Sequence, residues 1–171
     1  MAPELALIGL GSNLEDPARQ LRTASMELAR CGSVEALSSL YRTAPVGGPA
    51  GQPDFLNAVL ALAPNASLAT PRAMLDALLA IERRHGRTRR VPWEARTLDL
   101  DLLAFGERTV VEPGLSVPHP RLLERAFVLA PLCEALPEWR HPLTGASACE
   151  ALALLPSAPP VTRTGLDWDA G

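Results

Sequence analysis

Glu4 to Leu10 is a nearly unbroken apolar run that meets Gly9, Gly11, Ser12 and Asn13, the pattern of a buried strand ending in a turn cluster. Asp16 followed by Pro17 then opens a helix expected to reach Cys31, because Asp is a good N-cap and Pro suits the first helical turn. A strand through Val34 to Arg42 is predicted next, followed by an irregular Gly- and Pro-rich loop from Thr43 to Pro53. Phe55 to Leu62 reads as a second central strand. Ser67 caps a predicted helix whose Leu68, Leu75, Leu78, Leu79 and Ile81 form an apolar stripe, ending near His85 and Gly86. The basic stretch Arg87 to Glu94, with Pro92, reads as a mobile loop.

From Leu98 to Phe105 the chain alternates again, and a turn at Gly106-Glu107 leads to a short strand, Thr109 to Val111. Helices are expected at about Glu124 to Leu136, distorted by Pro131, and at Ala146 to Leu154. The order strand, helix, strand, strand, helix, strand predicts an α+β, ferredoxin-like βαββαβ fold. Its expected form is a four-stranded antiparallel sheet with helices packed on one face and an extra C-terminal helical region. Residues 1–155 are expected to form one catalytic domain, and 156–171 a Pro-containing tail.

The strand at 98–105 carries more than core residues. Residues i and i+2 leave a strand by the same face with Cα atoms about 6.5–7 Å apart, so Asp99 and Asp101 point together. Two carboxylates held that close repel unless a cation joins them, and hard oxygen ligands favour Mg²⁺, which commonly also holds substrate phosphates. The alternative is an edge strand whose aspartates simply face water.

Composition narrows the chemistry. The 16 basic residues are all arginine, which excludes a Walker lysine, a Schiff-base lysine and a lysine general base. Any phosphate must therefore be met by Arg, metal or backbone. A net charge of -3 argues against a broad nucleic-acid or anionic-membrane surface. The apolar N-terminal run is too short for a signal peptide or a membrane span. Cys31, Cys133 and Cys149 are odd in number and widely spaced, so a disulfide framework is not expected and a reducing cytoplasm fits.

Several clusters adjoin the aspartates. Arg83, Arg84, Arg87, Arg89 and Arg90 precede them, with Arg96 directly before; a solvated charge run is the plain reading, but arginine beside Mg²⁺ is what phosphoryl transfer needs. Gly9-Leu10-Gly11-Ser12-Asn13-Leu14 lacks the third glycine of a dinucleotide fingerprint, so a tight strand-to-helix turn is expected there. His119 lies between Pro118 and Pro120, and Arg121 and Arg125 would share a helix face. Phe55 and Phe127 fit either a core or a clamp on a flat heterocycle, and Asn57, on the face of Phe55, could supply the amide edge such a ring needs.

Taken together, GLGSNL at 9–14, YRTAPVG at 41–47, QPDFLNAV at 52–59, IE and GR within 81–87, RTLDLDLL at 96–103 and VPHPRLLERAFVLAPL at 117–132 resemble the 6-hydroxymethyl-7,8-dihydropterin pyrophosphokinases of folate biosynthesis. The resemblance implies an ATP-dependent diphosphotransferase that moves pyrophosphate from ATP to the pterin alcohol, giving AMP and the pterin diphosphate. It implies that Asp99 and Asp101 bind two Mg²⁺ ions and that Arg87 and Arg96 meet the phosphates. Glu82, Leu102, Ser116, His119 and Arg125 resemble nucleotide contacts. Phe55 and Phe127 would stack the pterin, Asn57 would bond its edge with Thr43 and Val46 assisting, and Trp93 would help close the site. A cytoplasmic monomer is implied. Where the family usually reads Trp-Gly-Pro-Arg, this chain has Trp93-Glu94-Ala95-Arg96. The alternatives are another Mg²⁺-dependent nucleotide enzyme, such as a phosphohydrolase or nucleotidyl transferase, and an RNA-binding ferredoxin-like module.

Overall fold

The computed structural model describes residues 2–86, 98–157 and 159–169. Its framework is one six-stranded sheet. β1 (Ala6–Ser12) lies in the middle, antiparallel both to β4 (Phe55–Pro64) and to β5 (Asp99–Phe105). Beyond β4 come β2 (Gly32–Leu37) and β3 (Tyr41–Thr43), both antiparallel to it. A small hairpin, β6 (Val110–Glu112) with β7 (Leu115–Val117), stands apart, and β8 (Val161–Arg163) extends the sheet by pairing with β3. The architecture is α+β with a mostly antiparallel sheet, as the alternation of strand and helix patterns predicts. The sheet has six strands rather than four.

Alternation along the strands divides the interior in two. On one face Ile8, Leu10, Leu56, Ala58, Leu60 and Leu100 meet α1 (Pro17–Leu28) and α2 (Pro71–Arg84), which bury Leu21, Ala24 and Leu28, and Met74, Leu78 and Ile81. On the other, Leu7, Val59, Ala61, Leu103 and Ala104 meet α3 (Ala126–Ala135) and α4 (Ala148–Ala153). Helices therefore cover both faces, not one. The period-two reading shows that each strand has an apolar residue for both sides, which only a doubly covered sheet buries.

Local signals explain most boundaries. Asp16 caps α1 by accepting from Arg19 N at 3.1 Å, with Pro17 in the first turn. The cap of α2 is Thr70 rather than Ser67, which lies in a 3-10 turn, Ala66–Leu68. The single strand expected at 34–42 is two, because Ser38 leaves the ladder: its N–H goes to Val59 O and its hydroxyl receives Val59 N, both at 2.9 Å. α3 starts after a separate 3-10 turn, Leu122–Glu124, and retains Pro131 inside it.

Cys133 and Cys149 form a disulfide joining α3 to α4, contrary to the expectation from composition. Their Cα atoms stand 5.0 Å apart, within bridging range. The C-terminal segment contributes β8 and then Trp168, whose Nε1 donates to Ser38 O at 2.7 Å. Among the described residues no helix is long and apolar enough to cross a membrane.

Candidate active site

Leu98, just before β5, and Leu100 and Leu102 within it point into the core beside α2, so Asp99 and Asp101 leave by the opposite face, the one α3 covers. Both are half-buried. Leu103 continues that face, and the irregularity opposite Leu7 and Ile8 leaves it without a ladder partner before Ala104 and Phe105 resume pairing.

The partners across the sheet explain the glycines. Gly11 stands between Asp99 and Asn57, and Gly9 between Asp101 and Val59. These residues belong to β1, not to a turn, so the predicted strand-to-helix turn is displaced to residues after Ser12. Their role is the missing side chain. At two successive positions on the α3 face, the central strand contributes only backbone between the carboxylates and the β4 amide. A Cβ on Gly11 would lie 3.0 Å from Asn57 Oδ1, whereas one on Gly9 would meet Leu103 Cδ1 at an ordinary 3.5 Å.

Phe55 and Asn57 share this face, and β3 brings Thr43 opposite Phe55. Asn57 Nδ2 donates to Thr43 Oγ1 at 2.7 Å, which fixes the amide and turns Oδ1 toward Gly11. Phe127, in the first turn of α3, is half-buried above the same face. The Arg125 guanidinium lies 5.6 Å from its ring centroid and 4.0 Å from Asp101 Oδ2, so one cation links ring and carboxylate.

Behind the aspartates, Glu82 is buried on α2 and accepts from Leu100 N at 2.8 Å, which anchors β5 from its far side. Leu102 likewise turns its side chain into the α1–α2 core. His119 N donates to Leu103 O at 2.7 Å, and His119 Nδ1 accepts from Arg121 N at 3.1 Å, which leaves the ring proton on Nε2. Burial, and then the nearby Arg125 and Arg121, push this imidazole below its ordinary value, with Asp99 acting the other way. Ser116 is half-buried on β7.

The structure thus gathers Asp99, Asp101, Asn57, Thr43, Phe55, Phe127 and Arg125 on one side of the sheet. It sets the side chains of Glu82 and Leu102 on the other. Val46 is exposed in the loop after β3. Arg87, Trp93 and Arg96, and the basic loop that carries them, lie outside the described residues. Arg121 and Arg125 do not share a helix face: Arg121 faces Glu124 at 3.5 Å from the 3-10 turn, and Arg125 precedes α3.

Two groups on this face were not singled out from sequence. Tyr41, opposite Asn57, hydrogen-bonds Glu134 of α3, and burial together with that carboxylate pushes its phenol up to about 12. The available signal was parity, since Tyr41 and Thr43 share a face with Phe55 and Asn57. Away from these residues, an open groove of about 690 Å³ between α1 and the end of α2 is lined by Gln20, Glu27, Arg84 and His85 among others.

An α+β sheet bearing a carboxylate pair, a fixed amide and aromatic rings on one face has the elements of a nucleotide-dependent transferase acting on a flat substrate. Residues 7–137 match the family described as 7,8-dihydro-6-hydroxymethylpterin-pyrophosphokinase. The chain belongs to that family and is a pyrophosphokinase of folate biosynthesis.

The 2-amino-4-hydroxy-6-hydroxymethyldihydropteridine pyrophosphokinase of Pseudomonas aeruginosa is 44% identical over 151 residues, covering 87% of this chain and 90% of that one. The Synechocystis enzyme of the same name is 42% identical over 142 residues, 82% of this chain and 70% of its own. Among solved structures, an HPPK-DHPS in complex with substrates superposes with a TM-score of 0.71 at 13% identity, over 90% of this chain. That likeness shows the fold. This chain spans 43% of that longer protein.

Proposed function

We propose that the chain transfers the pyrophosphoryl group of ATP to 6-hydroxymethyl-7,8-dihydropterin. The hydroxymethyl oxygen attacks the β-phosphorus in line, the bond from that phosphorus to the α-phosphate oxygen breaks, AMP leaves and the alcohol proton is released. The observation that carries the reading is the placement of Asp99 and Asp101 on the same face as Phe55, Asn57 and Thr43, with only Gly9 and Gly11 between. Charge chemistry and ring recognition are therefore adjacent and share an open strip of backbone.

The donor set suits magnesium. Two carboxylates completed by substrate phosphates are a usual Mg²⁺ arrangement. Two Mg²⁺ ions bound there would neutralise the phosphate chain and polarise the β-phosphorus. Asp99 and Asp101 would hold them, Arg125 would add positive charge beside Asp101, and Arg87 and Arg96 would meet the transferring group. Glu82, Leu102, Ser116 and His119 shape the nucleotide side, Glu82 by fixing β5. Phe55 and Phe127 stack the pterin, Asn57 Oδ1 accepts from its N–H edge, and Thr43, Val46 and Trp93 complete the enclosure.

The same reading treats β1, β2, β4 and β5 with α1 and α2 as the ferredoxin-like βαββαβ core, within one catalytic domain of residues 1–155 to which the tail adds β8. The same proposal takes the protein to be a monomer working in the cytoplasm, where ATP is supplied. Incubation with ATP, Mg²⁺ and the reduced pterin, followed by mass identification of products, tests the proposal. AMP and pterin diphosphate in equal amounts are expected. Inorganic phosphate with unmodified pterin would instead favour a phosphohydrolase.

A further inference from the structure

Glu134 lies two turns beyond Phe127 on α3, and seven residues along a helix return to the same face. There it is bonded from three directions. The Tyr41 hydroxyl donates to Oε2, and Ser39 donates to Oε1 through its N–H at 2.8 Å and its hydroxyl at 2.7 Å. The Ser39 hydroxyl in turn accepts from Arg163 Nε of β8 at 2.9 Å, and Arg163 stands 3.9 Å from Glu134 Oε2. Burial pushes this carboxyl up, yet the donors from Tyr41 and Ser39 with Arg163 nearby hold it below its ordinary value.

This network joins three elements that have no other charged tie among the contacts described: the last turn of α3, the strand carrying Thr43, and the C-terminal strand. Tyr41 faces Asn57 directly in the β3–β4 ladder and precedes Thr43 by two residues on the same face. The anchored surface is therefore the one that holds the ring-reading residues. The aspartates lie three strands away, across β4 and β1, at about 14 Å given the usual strand spacing.

We propose that Glu134 is a positioning residue for the heterocycle: by tying α3 to β3 through Tyr41 and Ser39, it fixes the separation of Phe127 from Phe55 and Asn57. The inference rests on the reading of Phe55, Asn57 and Phe127 as the pterin subsite. Loss of the carboxylate releases the end of α3 from β3, with the Cys133–Cys149 disulfide still holding it to α4, and leaves the Tyr41 hydroxyl and the Ser39 N–H without their acceptor, so the slot for the ring widens while the aspartate pair stays in place. A glutamine at this position keeps an acceptor for Ser39 and a partner for Tyr41.

Steady-state kinetics of Glu134→Ala, Glu134→Gln, Tyr41→Phe and a control, Glu150→Ala, test this. Glu150 completes the capping box of α4 and pairs with Arg140, so its loss weakens the same helical layer away from β3. Glu134→Ala and Tyr41→Phe are expected to raise the pterin KM about tenfold and about fivefold, with the ATP KM and kcat within threefold of wild type. Glu134→Gln should stay within threefold in all parameters, and Glu150→Ala should lower Tm without moving the pterin KM. Pterin and ATP KM rising together, an unchanged pterin KM in Glu134→Ala, or an equal rise in Glu150→Ala would overturn the inference. Should Glu134→Ala not fold, Tyr41→Phe decides by the same criterion. A wild-type protein forming no pterin diphosphate would bring down the subsite reading and this inference with it, whereas an active wild type with unaltered variants defeats the inference alone.

Discussion

Replacing Gly11 by alanine is the sharpest test of the site, because it adds one carbon at a known distance from the amide proposed to read the ring. The new Cβ would stand 3.0 Å from Asn57 Oδ1, several tenths of an ångström inside ordinary contact. Relief by rotation is resisted, since Asn57 Nδ2 is held by Thr43 Oγ1 at 2.7 Å. Either the carbon crowds the acceptor proposed for the pterin, or the amide moves and strains its bond to Thr43. A buried hydrogen bond lost or left unsatisfied costs about 1–3 kcal/mol, which corresponds to roughly 5- to 150-fold in affinity.

Stability should change much less. Alanine in a strand reduces the freedom of the unfolded chain, a gain of about 0.4–1 kcal/mol that offsets the local crowding. Titrating the pterin into Gly11→Ala with a non-hydrolysable ATP analogue and Mg²⁺ gives the affinity directly, and thermal unfolding gives the stability. Gly9→Ala is the comparison: its Cβ meets Leu103 at 3.5 Å, away from Asn57, so pterin affinity should stay within about twofold. Wild-type pterin affinity in Gly11→Ala, or equal losses in both variants, would refute the assignment of Asn57 as the ring-reading group.

Asp99→Ala and Asp101→Ala should each lower AMP formation about a thousandfold, the several kcal/mol expected from loss of metal-centred charge stabilisation; near-normal Mg²⁺-dependent turnover in either would count decisively against the metal pair. Arg87→Ala and Arg96→Ala should reduce kcat more than pterin affinity, as pre-steady-state and binding measurements would show, because the role proposed for them is on charge in transfer. Gly32→Ala should lower Tm by about 6–12 °C, since its Cβ would fall 2.1 Å from the Ala63 carbonyl oxygen and force backbone apart at a cost of about 3 kcal/mol. Burial pushes the Glu27 carboxyl up, but donors from Arg84 and His85 outweigh it and hold it below its ordinary 4.5. Its stabilisation is therefore complete above pH about 4.5 and lost as pH falls through the lower folded value, so the stability gap between wild type and Glu27→Gln should narrow in acid, measured by denaturant unfolding.

What sequence revealed of this site depended on whether a signal was local. The alternation of Leu98, Asp99, Leu100 and Asp101 states its own geometry, since a strand with a buried side must put both carboxylates on the other. Gly9 and Gly11 carry an equally local signal, whose content is the absence of a side chain rather than backbone freedom; the ladder partners Asp101 of Gly9, and Asn57 and Asp99 of Gly11, supply that meaning. Cys133 and Cys149 are 16 residues apart on different helices, and only the packing of α3 on α4 brings them within reach. The same holds for Arg125, which meets Asp101 because the residue leading into α3 comes to lie beside β5. The break at Ser38 was hidden because a residue that leaves a ladder and satisfies its partner through a side chain does not alter hydrophobic periodicity.

Under the proposed reading, the order of strands also separates two tasks that would interfere if they were closer. Asn57 and the aspartates face each other across a single strand, at about 10 Å from the usual strand spacing. That distance is too great for the amide to coordinate a cation held by the carboxylates, or for the carboxylates to take the hydrogen bonds meant for the ring. Glycine at the intervening positions keeps the gap open, where a long side chain would divide it. The arrangement requires that loss of the amide and loss of the carboxylates have different consequences. Asn57→Ala should weaken pterin binding while metal-dependent ATP binding persists, and Asp101→Ala should weaken metal-dependent ATP binding while the bare pterin still binds. If both variants lose both ligands in parallel, the two halves of the face are one site, and the division of labour across β1 is wrong.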